Sequence, residues 1–94
     1  MNLDDLKITA DKAIEKINEF VDKNGSTNPI HSIKNQMLFI RNSASEGKHP
    51  VSVLDNDEKF TYSIIASREL ASPEELELYD YITEVSRVMD RIKH

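Results

Sequence analysis

Residues 29–45 read PIHSIKNQMLFIRNSAS, and this stretch decides the predicted fold class. Its apolar residues recur at alternating steps of three and four: Ile30, Ile33, Met37, Ile40 and Ala44. At about 100° per residue they form one narrow stripe, called the seam below, which is typical of a helix that packs among other helices. We expect Asn28 to cap this helix and Pro29 to take its first position, where the missing N–H of proline costs nothing. The helix should end near Glu46 and Gly47.

The ring of Phe39 should lie on the face opposite the seam, flanked by Ser32, Gln36 and Ser43. A phenyl ring in that position needs either a second packing neighbour within the chain or a partner outside the chain. General burial preferences favour the neighbour within the chain. The alternative makes Phe39 and Gln36 candidate partner contacts.

The composition indicates one small domain with enough apolar material for a single core. The chain has 94 residues, of which 38% are hydrophobic and 31% charged, as expected for one well-solvated domain. It has no cysteine, which excludes a disulfide framework, a thiolate metal site and a cysteine nucleophile. Neither a signal peptide nor a run of roughly 18 apolar residues is visible. We therefore expect a cytoplasmic protein without a membrane partner.

The net charge of −5 is unevenly distributed along the chain. Residues 1–49 are neutral overall, residues 50–84 hold nine acidic residues against two basic ones for a net charge of −7, and residues 85–94 have a net charge of +2. Since binding a polyanion needs clustered Lys and Arg, this distribution argues against nucleic acid as a partner. The acidic block could steer a basic protein partner. It could equally provide solubility and complement helix dipoles.

Two further helices are predicted with well-defined ends. The first runs from Leu3 to Asn24, with Gly25 in the left-handed position that follows a helix. The last begins at Ser72 and Pro73, and the S-x-x-E spacing from Ser72 to Glu75 predicts a capping box. Its apolar face consists of Leu78, Tyr81, Ile82, Val85, Val88, Met89 and Ile92.

The pattern of residues 51–70 is compatible with two structures. Val51–Val53 and Phe60–Ile64 alternate apolar and polar residues as strands do, and Asp55–Asp57 could form the turn of a hairpin. The alternative is a helix over about Asp55–Leu70, since a lone two-stranded hairpin is marginally stable unless it packs on helices. The pattern alone does not decide between them.

The sequence shows no catalytic or metal-binding constellation. The histidines are too far apart to suggest a metal site, and solvated rings are expected for them. They are His31, His49 and His94. The two glycines cannot build a phosphate-binding loop. Di-metal helix sites use a Glu-x-x-His motif from each of two helices. Here only Glu46 precedes a histidine, His49, by three residues, and it stands next to Gly47, where the helix is expected to end. We therefore expect no enzyme activity, no metal, no cofactor and no small-molecule substrate.

A protein-binding surface is the remaining functional candidate. The last helix has three acidic residues on its polar side, and the ring of Tyr79 is expected among these carboxylates. Aromatic anchors within a charged rim are typical of protein-binding hot spots. The predicted partner contacts are Gln36, Phe39, Glu77, Tyr79, Asp80 and Glu84.

Two blocks of the sequence resemble a family of small all-helical bacterial immunity proteins. They are Ser32–Arg41 (SIKNQMLFIR) and Phe60–Ala66 (FTYSIIA), the second followed by Arg68-Glu69-Leu70 and Pro73-Glu74. The matching positions are mostly helix-packing residue types, with three polar residues, Ser32, Gln36 and Arg41, in addition. Proteins of this family neutralise type VI secretion effectors, and the target of the type member is an NAD(P)+ glycohydrolase.

The resemblance implies a cytoplasmic antitoxin that binds a cognate effector toxin and covers its active-site cleft. It also favours the helix over the hairpin for residues 51–70. The predicted fold is then all-α, a small antiparallel bundle of three to four helices in a single domain covering residues 1–94. The alternative hypothesis is a non-enzymatic helical regulatory or adaptor module that acts by homodimerisation or partner binding.

Overall fold

The computed structural model describes residues 3–54 and 59–92, and five helices account for 83% of these residues. In chain order they are α1 (Leu3–Asn24), α2 (Asn28–Ser45), α3 (Pro50–Val53), α4 (Tyr62–Glu69) and α5 (Pro73–Arg91). No strand occurs within the two described ranges, which confirms the predicted all-α fold. None of the helices in these ranges is long and apolar enough to cross a lipid bilayer.

The four longer helices form a four-cornered bundle. Helix α1 packs against α2 and α5, and α4 packs against the same two helices. Within the described residues α1 does not pack on α4, and α2 does not pack on α5. Helices α1 and α4 therefore occupy opposite corners. Two opposite sides of the bundle result, which we call the α1/α5 edge and the α2/α4 edge.

The core consists of the apolar faces that the sequence predicts. All five residues of the seam on α2 are buried, and Ile33, Met37 and Ile40 are 0% exposed. The predicted face of α5 is buried as well, apart from Tyr81, which is half-buried. The inward faces of both helices are thus confirmed.

The ends of α1 and α5 also agree with the sequence. In α5 the Ser72 hydroxyl accepts a hydrogen bond from the Glu75 amide at 3.3 Å, and the Glu75 carboxylate accepts one from the Ser72 amide at 3.0 Å. These two bonds form the predicted capping box. Gly25 follows α1 with φ +85°, and Gly47 follows α2 with φ +78°. Both glycines adopt the left-handed conformation that closes a helix.

The predicted cap of α2 was wrong by one residue. Thr27, with an extended backbone, is the N-cap, and its hydroxyl accepts a hydrogen bond from the Ile30 amide at 3.4 Å. Asn28 already lies in the helix, which moves Pro29 to the second helical position. Thr27 lies three residues before Ile30, so its hydroxyl reaches the Ile30 amide past Pro29, which has no N–H.

The helix predicted over residues 55–70 is only partly correct. Helix α4 begins at Tyr62 and ends at Glu69, while residues 59–61 are not helical. Residues 55–58 lie outside the described part of the chain. Val51–Val53, which the alternation made a candidate strand, belongs to the short helix α3.

The start of α4 is capped by a residue of another helix. The Gln36 side-chain oxygen, on α2, accepts hydrogen bonds from the Thr61 amide at 2.8 Å and the Tyr62 amide at 2.9 Å. Thr61 itself makes no side-chain capping bond. A long-range contact therefore satisfies the amides that a local cap satisfies in α5.

His49 is buried, which corrects the expectation of a solvated ring. It is 7% exposed, and its Nδ1 accepts a hydrogen bond from the Val51 amide at 3.2 Å. Its Nε2 lies 3.2 Å from the Met89 carbonyl oxygen, so this nitrogen is the donor. The ring thus caps α3 and ties it to α5. His31 is exposed as predicted, and His94 lies outside the described residues.

Candidate partner-binding surface

The predicted partner contacts are divided among different sides of the bundle. Gln36 and Phe39 line a groove at the α2/α4 edge. Glu77 and Glu84 line grooves at the α1/α5 edge. Because these edges are opposite each other, one flat partner surface cannot cover both.

Phe39 has the packing neighbour within the chain that burial preferences favoured. Its half-buried ring lies 5.8 Å from the ring of Phe60, centroid to centroid, in an edge-to-face arrangement. The Phe60 ring lies 5.9 Å from that of Tyr62. Phe39 is therefore the outer member of a row of three aromatic rings that joins α2 to the start of α4. Its contact with a partner stays a prediction.

Gln36 is fully engaged by hydrogen bonds within the chain. Besides accepting from two amides of the α4 start, it donates to the Ser32 hydroxyl at 3.3 Å and to the Thr61 hydroxyl at 2.9 Å. A side-chain amide offers two donors and two acceptor positions, and all four are used here. Gln36 therefore positions α4 and has no spare hydrogen-bonding group.

The polar residues of the family resemblance all make contacts inside the chain. Ser32 and Gln36 bond each other, and Gln36 joins the first matching block to the second. Arg41 forms an ion pair of 3.3 Å with Asp11, which ties α2 to α1. The contacts that these three residues make within the bundle are therefore enough to explain why the sequence has them.

Tyr81, rather than Tyr79, lies among the acidic residues of α5. Tyr81 lines one groove with Glu77 and another with Asp80 and Glu84. Its spacing of four and three residues from Glu77 and Glu84 places the three side chains on one side of the helix.

The predicted position of Tyr79 among the carboxylates was wrong. Tyr79 is seven residues before Ser86, so the two lie on nearly the same side of α5. The Ser86 hydroxyl is 2.7 Å from the Tyr62 hydroxyl of α4. Tyr79 therefore lies on the side of α5 that faces α4, where its half-buried ring packs against the core. Tyr79 comes two positions after Glu77, which puts it about 200° away around the helix.

Two shallow grooves meet at Tyr81 along the α1/α5 edge. The first, of about 580 Å³, also contains Lys16, Phe20 and Glu77 among its lining residues. The second, of about 480 Å³, has Ile8 opposite Tyr81 and Glu84. Ile8 is 66% exposed, the highest value among the large apolar residues described. Ile8 and Tyr81 were not among the predicted partner contacts, although the spacing of Glu77, Tyr81 and Glu84 could have identified the tyrosine.

The position of the Tyr81 ring is supported by Lys16 of α1. The Lys16 ammonium lies 5.5 Å from the ring centroid, within the range of a cation–π contact. The same lysine forms an ion pair of 3.6 Å with Glu19, whose charge raises the pKa of Lys16. Lys16 therefore stays protonated at neutral pH and covers one face of the ring.

The basic side chains of the α1/α5 edge are neutralised locally. Among the described residues four ion pairs line this edge: Lys12–Glu15 at 4.0 Å, Lys16–Glu19 at 3.6 Å, Lys23–Glu74 at 3.6 Å and Arg87–Glu84 at 3.1 Å. Glu77 and Asp80 have no ion-pair partner in the described part of the chain. The uncompensated charge of the edge is therefore negative and centred beside Tyr81.

Comparison with known proteins identifies no family for this chain. No protein-family model matches it, and no similar curated protein or solved structure was found. The described residues contain no group of three or more His, Cys, Asp or Glu side chains arranged to hold a metal ion. The resemblance to immunity proteins therefore rests on the sequence pattern itself, with the two blocks as its main part.

Proposed function

We propose that the protein is an immunity protein, an antitoxin that binds a cognate effector toxin in the cytoplasm and covers its active site. The proposal starts from the resemblance of residues 32–41 and 60–66 to type VI secretion immunity proteins. One structural observation supports it: the α1/α5 edge combines exposed Ile8 and half-buried Tyr81 with Glu77 and Asp80, two carboxylates without an ion-pair partner among the described residues. Such a combination suits a protein partner.

The charge of this edge fits the kind of toxin that the resemblance implies. An NAD(P)+ glycohydrolase has to bind a pyrophosphate, and a cleft that does so presents positive potential. An acidic surface would be attracted to that cleft and would compete with the dinucleotide for it. The protein would act by occlusion and would need no turnover, metal or cofactor of its own.

Co-expression with the product of the adjacent open reading frame tests the proposal. An immunity protein is encoded beside its effector, so we expect the two proteins to co-purify on an affinity tag placed on either one. The oligomeric state of the purified protein is measured in parallel by light scattering. Failure to capture the neighbouring product, together with a stable homodimer, would contradict the proposal and support the adaptor hypothesis.

A further inference from the structure

We propose that the partner docks on the α1/α5 edge and inserts there an arginine or lysine side chain next to an apolar one. This inference rests on the proposed function, since the partner is taken to be the cognate toxin. It assigns the contact to the grooves that meet at Tyr81, and it excludes the α2/α4 edge as the main binding surface.

The apolar part of the site is Ile8 together with the ring of Tyr81. Ile8 is 66% exposed and lies outside the buried face of α1, so it contributes little to the core. It lines the same groove as Tyr81, whose ring is held by Lys16 at 5.5 Å. An exposed isoleucine beside a positioned aromatic ring offers a partner an apolar contact with little loss of side-chain freedom.

The charged part of the site is Glu77 and Asp80, on the same side of α5 as Tyr81. The nearby lysines and Arg87 are already paired with other carboxylates. An incoming cation therefore meets two carboxylates for which no described side chain competes. A guanidinium or ammonium group placed there would also lie close to the Tyr81 ring, which attracts cations.

The α2/α4 edge offers much less to a basic partner. Its groove is lined by His31 and Lys59 and by no acidic residue among those described. Gln36 is saturated by bonds within the chain, and Phe39 already packs on Phe60. The groups that a partner would need at this edge are occupied, whereas Glu77 and Asp80 at the α1/α5 edge have no ion-pair partner in the described part of the chain.

The experiment compares variants at the α1/α5 edge with matched variants on α4. Ile8→Ser and Glu77→Lys change the α1/α5 edge. Ile64→Ser and Glu69→Lys make the same substitutions on α4, where Ile64 is 54% exposed and Glu69 is exposed. The probe is the product of the neighbouring open reading frame, and its association and dissociation rates with each variant are measured at low and at physiological salt. Circular dichroism melts verify that all four variants are folded.

We expect Ile8→Ser and Glu77→Lys each to weaken binding by about tenfold or more, as for residues within a hot spot. The loss with Glu77→Lys should lie mainly in the association rate and should be larger at low salt, where charges are screened least. Ile64→Ser and Glu69→Lys should bind as the unsubstituted protein does.

Three outcomes would overturn the inference in distinguishable ways. If the unsubstituted protein binds the neighbouring product and Ile8→Ser and Glu77→Lys bind it equally well, the α1/α5 edge is not the binding surface. The proposed immunity function would be unaffected by that result. A homodimer that Ile8→Ser dissociates would show that a second copy occupies the edge. No binding of the neighbouring product by any form of the protein would remove both the inference and the proposed function.

Discussion

Gln36 links two helices through a single side chain. Its amide satisfies the first turn of α4 and two hydroxyl groups, and this turn has no cap of its own. The start of α4 in turn places Phe60 against Phe39. One polar residue on the outer side of α2 therefore determines how residues 59–62 join the bundle.

Replacing Gln36 by alanine should destabilise the fold by about 1–2 kcal/mol, since the amides of Thr61 and Tyr62 lose their acceptor. The free energy of unfolding in urea measures this effect. Asn35→Ala is the matched control, because Asn35 is an exposed neighbour on the same helix, and its change should stay within about 0.5 kcal/mol. Equal stability of the two variants would show that Gln36 does not hold α4 in solution.

The titration of Tyr62 should lower the free energy of unfolding at alkaline pH. Burial raises the pKa of its hydroxyl, the hydrogen bond with Ser86 acts against that shift, and the charge of Asp90 adds to it. The pKa of Tyr62 in the folded state is above the unfolded value near 10. The contribution of its protonated hydroxyl to the free energy of unfolding is therefore fully present below about pH 10. It is lost as the pH rises through the folded-state pKa.

The matching variant is Tyr62→Phe, which has no hydroxyl to titrate. We expect its unfolding free energy to fall less steeply than that of the unsubstituted protein in the alkaline range. At neutral pH it should be lower by about 0.5–1.5 kcal/mol, because the bond to Ser86 is lost. Urea titrations from neutral to alkaline pH measure both effects. An unchanged alkaline slope would show that Tyr62 titrates as if it were exposed.

At the scale of the element, the capping box fixes the start of α5. Ser72→Ala removes the acceptor of the Glu75 amide and should destabilise the protein by about 0.5–2 kcal/mol. Ser45→Ala, at an exposed position at the end of α2, is the control and should have little effect. Thermal melts of the two variants provide the comparison, and equal melting temperatures would contradict the capping role.

The seam of α2 is tested in the same way. Ile40 is 0% exposed, so Ile40→Ala should cost about 2–5 kcal/mol through lost burial and a remaining cavity. Ile64→Ala is the matched control, because this isoleucine is 54% exposed on α4. A loss below about 1 kcal/mol for Ile40→Ala would mean that α2 turns a different face to the core.

Helix boundaries could be predicted from the sequence where neighbouring residues set them. Leu3–Asn24 matches both of its predicted ends and α5 begins at Pro73 as predicted, because Gly25 and the Ser72 box act within a few residues. The start of α4 depends on Gln36, which is 25 residues away from Thr61 in the chain. A pattern of local residues does not contain that information.

In the whole molecule, the packing of the four longer helices separates the predicted partner contacts into two groups on opposite edges of the bundle. Gln36, Phe39 and the acidic residues of α5 were predicted to form one partner-binding surface. The sequence could not show that α2 and α5 lie at diagonally opposite corners of the bundle. Glu77 and Asp80 are exposed, as expected for the polar side of the helix, and their contact with a partner stays a prediction. Tyr79 was predicted to be the aromatic residue beside them, but that residue is Tyr81. Tyr81 was counted only with the apolar face of α5, although it lies at the border of that face.

The proposed neutralisation of a toxin by this bundle is tested by the growth of cells that express the neighbouring effector. With the protein co-expressed, we predict that growth is restored, and that the effector activity measured in extracts is suppressed in proportion to the amount of protein added. Continued toxicity at equal or higher levels of folded protein, with no complex formed between the two, would contradict the proposal.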